Sequence, residues 1–159
     1  MAQQYFVLGI GGTGMRCIES LIHLCAMGMF DDTDIHLLAL DTDKDNGNFA
    51  RLKEVKEAYV KAKGTDASLR TALNETFFSA NINYYEFSPN YEVKSDFMSV
   101  FNYGDTKFNN PEQTAIADLV LTKNVETFNL RHGYRAQTHL GSMMMYHSIL
   151  EAARSNKNF

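Results

Sequence analysis

Residues 5–10, YFVLGI, form an apolar, β-prone run that breaks into Gly11, Gly12, Thr13 and Gly14; apolar residues then recur at Met15, Ile18, Leu21, Ile22, Cys25 and Met29. A buried parallel strand reads as such a run, and the later spacing is that of a helix with one buried face. Strand, glycine turn and helix together restrict the chain to folds in which a sheet is covered by crossover helices. Gly9, Gly11 and Gly14 fit the G-x-G-x-x-G spacing between a strand and a helix. Without Cβ atoms the backbone there can approach a phosphate closely, and the free N–H groups and positive dipole end of the helix face the anion. Thr13 can add a hydroxyl donor. The turn is not a Walker A loop, which ends in Gly-Lys-Ser/Thr; Arg16 is a poor substitute for the lysine because it points along the helix.

The first helix gives out near Gly28, and an acidic turn leads to a second apolar run over residues 35–40 that ends at Asp41. Strand, helix and strand make a βαβ unit with a right-handed crossover. Phe49, Leu52, Val55 and Tyr59 predict a helix to about Lys63, stopped by Gly64. A further helix is predicted from Asp66, a third strand over 82–87, and a helix from Asn110 and Pro111 to Thr122. Ser142 can cap a last helix through Met145, Ile149 and Ala152. The expected fold is α/β: a Rossmann-like three-layer fragment with a narrow parallel sheet flanked by helices.

At 159 residues with 45% hydrophobic content the chain has the size of one domain. Its formal charge of −4 and the lack of a basic patch argue against nucleic-acid partners. Nothing in it reads as a signal peptide or a membrane span, so a cytoplasmic location is expected. Cys17 and Cys25 fall two turns apart in one helix, too far for a disulfide, and read as reduced core residues. The five histidines offer no zinc spacing, and the methionines 143–145 read as core filling. No nucleophile elbow surrounds Ser142 or Cys17.

Asp41, Thr42 and Asp43 stand at the carboxyl end of the second strand, where open α/β sheets bind ligands. The ordered segments VLGIGGTG, LLALDTD and GYRAQTHLG resemble the N-terminal half of the nucleotide domain of the tubulin and FtsZ superfamily, with the nearest likeness to bacterial tubulin-like proteins. The resemblance implies phosphate contacts at Gly11, Gly12, Thr13 and Gly14, and a phosphate and magnesium neighbourhood at Asp41, Thr42 and Asp43. Asp41 and Asp43 would hold Mg²⁺ through water. A loop facing the terminal phosphate would fall on Gly133, Tyr134, Arg135, Ala136 and Gln137, followed by Gly141. Tyr134, Arg135 and Thr138 depart from the smaller, glycine-richer FtsZ loop, although Arg135 offers a positive charge. Residues 55–125 match the family poorly and resemble a family-specific insertion.

The resemblance implies a protein that uses GTP to control self-assembly, with the second glycine-rich box and the hydrolytic loop lying beyond residue 159. The chain is then expected to be the N-terminal part of a longer, tubulin-like protein. GTPase activity would belong to the whole protein, with little or none in this chain alone, and the narrow sheet is expected to self-associate or to pair with the remainder. Two alternatives stay open: a Rossmann-type dinucleotide enzyme fragment using Asp41 on a ribose, and an interaction module without a nucleotide.

Overall fold

The computed structural model describes residues 3–66, 77–88, 111–120, 129–130, 141–142, 149 and 152–156. Its centre is a parallel three-stranded sheet of β1 (Gln3–Ile10), β2 (Thr33–Leu40) and β3 (Asn81–Phe87), in the order β1-β2-β3. Helix α1 (Gly11–Ala26) crosses from β1 to β2, and α2 (Asn48–Asp66) follows β2. A separate helix, α3, spans Pro111–Val120. The chain is thus an α/β protein with a narrow parallel sheet, as its hydrophobic pattern predicts.

The unbroken apolar run over residues 37–40 of β2 follows from its central position. Ile35, Leu37 and Ala39 pack beneath Ile18 and Ile22 of α1 and Leu52 and Tyr59 of α2. Leu38 and Leu40, on the opposite face, meet the helical residue Ala152 together with Tyr85 and Phe87. A strand lined on both faces cannot alternate polar with apolar residues. Both α1 and α2 cover the same face, which is what successive crossovers of one hand produce when a sheet is built in one direction.

Met15, Ile18, Ile22 and Cys25 are the buried stripe of α1, at helical spacing. Its end closes as a Schellman motif: Met29 N–H donates to Leu24 O at 3.2 Å and Gly28 N–H to Cys25 O at 3.1 Å. Cys25 is buried, and burial pushes its thiol up to about 11. Cys17, expected in the core, is instead exposed; it lies two positions beyond Met15, about 200° around the helix from the buried stripe.

Far more polar than α1, α2 is fastened by particular contacts. The buried Tyr59 hydroxyl donates to Ala80 O at 2.8 Å. Lys63 Nζ donates to Ser79 O at 2.8 Å, to Ala80 O at 2.9 Å and to Asn81 Oδ1 at 2.7 Å. These bonds hold the last turns of α2 against the start of β3, and the helix therefore continues through Gly64, where the sequence predicts a stop, to Asp66. The weak helix propensity of one glycine, about 1 kcal/mol, is smaller than the combined hold of these contacts. Residues 55–125, expected from the sequence to be an insertion, supply β3 and most of α2.

Strand β1 pairs only with β2 among the described residues. Most of its side chains are exposed, including Phe6 at 57%. Phe6, His36 and Tyr85 nevertheless stack across the three strands, with centroids 4.7 Å and 6.3 Å apart. Of the other predicted elements, most of the helix expected after Asp66 and the methionines 143–145 lie outside the described residues. Gly141, Ser142, Ile149 and residues 152–155 are helical, as expected of the last helix.

Candidate functional site

The strand register fixes the site. Ile10 pairs with Leu40, and Leu40 with Phe87, so the three strands end level with one another. Gly11, Asp41 and Ser88 are the residues that follow, on backbones about 4.8 Å apart from strand to strand. Asp41 N–H continues the ladder by donating to Phe87 O at 3.3 Å.

Gly11 to Gly14 form the first turn of α1 itself, where the sequence pattern predicts a turn preceding the helix. The cap position is Ile10, in extended conformation, with no side-chain hydrogen bond to the helix and no acidic residue in the first turn. Isoleucine is among the poorest capping residues, and the opening N–H groups of a helix have no partner within it. They concentrate positive partial charge at this edge.

Each glycine has its own reason to lack a side chain. Gly11 has φ +65°, a left-handed conformation that strains other residues. A Cβ on Gly14 would stand 2.7 Å from the carbonyl carbon of Gly9, and one on Gly9 would collide with Ile18 Cδ1. Those two positions let α1 lie directly on β1. A Cβ on Gly12 would meet only the side chain of Asn48, with Nδ2 at 2.9 Å. Gly12 therefore faces the start of α2.

From the end of β2 a series of side-chain turns leads back to that point. Asp41 is buried, with Oδ1 accepting from Asp43 N–H at 3.1 Å and Oδ2 from Asn46 Nδ2 at 3.1 Å. Asp43 Oδ1 accepts from Asp45 N–H at 3.0 Å, and Asn46 Oδ1 from Asn48 N–H at 3.0 Å. Asp41 is in this way oriented by hydrogen bonds to both oxygens, each of which keeps a second lone pair. Thr42 is also buried, and among the described residues its Oγ1 has no hydrogen-bond partner; the buried Oγ of Ser88, just after β3, has none there either. Leaving a buried hydroxyl unsatisfied costs roughly 1–3 kcal/mol.

One turn further along, charged residues join the two helices. Arg51 of α2 donates to Glu19 of α1 three times, Nε at 3.1 Å and 3.0 Å and one terminal nitrogen at 2.7 Å. Arg16 adds a single contact of 3.3 Å to the same carboxylate. Arg51 chiefly, and then Arg16, hold the Glu19 carboxyl below its ordinary value of 4.5 against a smaller opposing effect of desolvation. Because the folded value is the lower one, the stabilisation is fully present above the unfolded value and is lost as pH falls through the folded one. The melting temperature of the wild type should therefore fall more steeply than that of Glu19→Gln as pH is taken downward from 4.5, in parallel thermal scans. Equal slopes would remove this role for Glu19.

The structure thus brings together Gly11, Gly12, Thr13, Gly14, Asp41, Thr42 and Asp43 along one edge. Arg135, Ala136 and Gln137 lie outside the described residues. Asn46, Asn48, Ser88 and the Glu19–Arg51 pair are additions that the sequence does not single out. The Asn-Gly-Asn run before Phe49 carries the signature of a helix start; Glu19 and Arg51, 32 positions apart, leave no local signal.

Among the described residues no cluster of three His, Cys, Asp or Glu side chains is placed to hold a metal ion. Likewise, no helix there is long and apolar enough to cross a membrane. Comparisons with protein families, with curated proteins and with solved structures return no match.

Proposed function

We propose that this edge binds the phosphates of a nucleotide, GTP in the first instance, in a tubulin-like domain whose nucleotide state controls self-assembly. The observation that carries the reading is the uncapped, glycine-lined start of α1, placed level with a buried Asp41 and Thr42 on the next strand. Free N–H groups at a helix start are suited to a phosphate, and the unpartnered Thr42 hydroxyl gains from any acceptor that reaches it.

Asp41, Asp43 and Asp45 make the same edge acidic, which opposes a bare polyphosphate. Magnesium resolves the conflict, since it binds through one or two carboxylates, retained waters and substrate phosphate oxygens rather than through a protein cage. Asp41 and Asp43 would hold the hydrated ion through water, leaving the hydrogen bonds that orient Asp41 intact. Little or no hydrolysis is expected of this chain alone. Self-association of the chain, or pairing with further sequence, would use the open side of β1.

Calorimetric titration with GTP, ATP and NAD, each with and without Mg²⁺, tests the reading. GTP affinity that rises with Mg²⁺ is the expected result. NAD affinity indifferent to Mg²⁺ would turn the site into a dinucleotide site with Asp41 on a ribose, and no binding of any kind would leave an interaction module.

A further inference from the structure

Arg16 occupies a position between two anions, one present and one implied by the nucleotide reading. It lies four residues after Gly12 and three before Glu19, hence on the helix face that carries both. Gly12 is about 6 Å away along the axis, within reach of an extended arginine. Helical side chains lean naturally toward the N-terminus and cover the preceding turn. Arg16 instead meets Glu19, three residues on, through one 3.3 Å contact, while its side chain remains 53% exposed. Glu19 does not depend on that contact, because Arg51 already donates to it three times.

We propose that Arg16 is an anion-binding arm of the glycine edge, parked on Glu19 in the unliganded protein and swung back over Gly12 and Thr13 to bind the outer phosphates of a polyphosphate. The inference rests on the proposed phosphate site, for which the buried, unpartnered Thr42 hydroxyl is an observation independent of the helix start. Charge supports it as well. The edge presents Asp41, Asp43 and Asp45, with Lys44 offsetting one of them, so a triphosphate needs cationic contacts beyond the helix dipole. Arg16 brings a charge that Glu19 can release, since Arg51 alone still neutralises Glu19. Its planar fork suits two phosphate oxygens at once.

The arm should discriminate by phosphate number. Arg16→Gln is expected to weaken GTP–Mg²⁺ and inorganic tripolyphosphate about tenfold, the size of one charge-assisted hydrogen bond. GMP, which has a single phosphate for the glycine turn, should change by less than about twofold on the same scale. Arg16→Lys should retain part of the triphosphate affinity. Equal losses for GTP and GMP, or no loss for either, would overturn the arm while leaving the phosphate site in place. Failure of the wild type to bind any of the three probes would overturn both.

Discussion

Replacing Gly14 by alanine is expected to destabilise the fold by roughly 2–4 kcal/mol, the upper range of overpacking in a well-packed core. The new Cβ would stand 2.7 Å from the Gly9 carbonyl carbon and 2.9 Å from its Cα. Both are backbone atoms of β1, held in register with Ala39 of the central strand. Relief requires α1 to lift away from β1, and the helix cannot lift without withdrawing Met15 and Ile18 from the core. Gly11→Ala provides the contrast. Its Cβ meets nothing within 4 Å, and only the cost of a left-handed φ remains, about 1–2 kcal/mol. Urea denaturation of the two variants should rank Gly14→Ala well below Gly11→Ala, and equal midpoints would mean that the helix does not rest on Gly9 as described.

The ranking also shows what the sequence could and could not convey. Strand β2 is readable because its carboxyl half is apolar on both faces, and α1 because its buried residues keep helical spacing. The glycine spacing falls at the carboxyl edge of the sheet, yet it does not say that Gly11 to Gly14 are already helix; glycine is ordinarily a turn residue, and an isoleucine cap gives no start signal. Gly64 misleads in the same way, because the bonds from Lys63 that carry α2 past it end in a segment of backbone 16 and 17 positions away. The acidic residues of the site are visible at the end of a strand, whereas Ser88 becomes relevant only through the pairing of β3 with β2. What stays hidden in each case depends on a contact between distant parts of the chain, which periodicity and spacing do not encode.

Sheet geometry connects the fold to the site. Since β1, β2 and β3 are parallel and end level, every connection leaving their carboxyl ends starts from the same edge. Two of these connections enter α1 and α2, and Asn48 at the start of α2 lies against Gly12 at the start of α1. The Glu19–Arg51 pair ties the helices one to two turns further down. As an exposed pair it contributes modestly to stability and weakens with salt, and it adds a polar link between the two helices beside the packing they share through the core.

Gly12→Val should separate binding from folding. The added Cβ meets the end of the Asn48 side chain rather than backbone, and that half-buried amide can rotate away, so stability should change by less than about 1 kcal/mol. The isopropyl group would then occupy the space between the starts of α1 and α2, over the N–H groups that the nucleotide phosphates are proposed to use. Loss of two charge-assisted hydrogen bonds at roughly 1.5–3 kcal/mol each corresponds to an affinity for GTP–Mg²⁺ reduced on the order of a hundredfold or more. Calorimetry read beside a denaturation curve distinguishes the outcomes. A folded variant that no longer binds would place the phosphates at Gly12. A folded variant with unchanged affinity would remove Gly12 from the site, and the glycine at that position would then serve only the packing of Asn48 against α1.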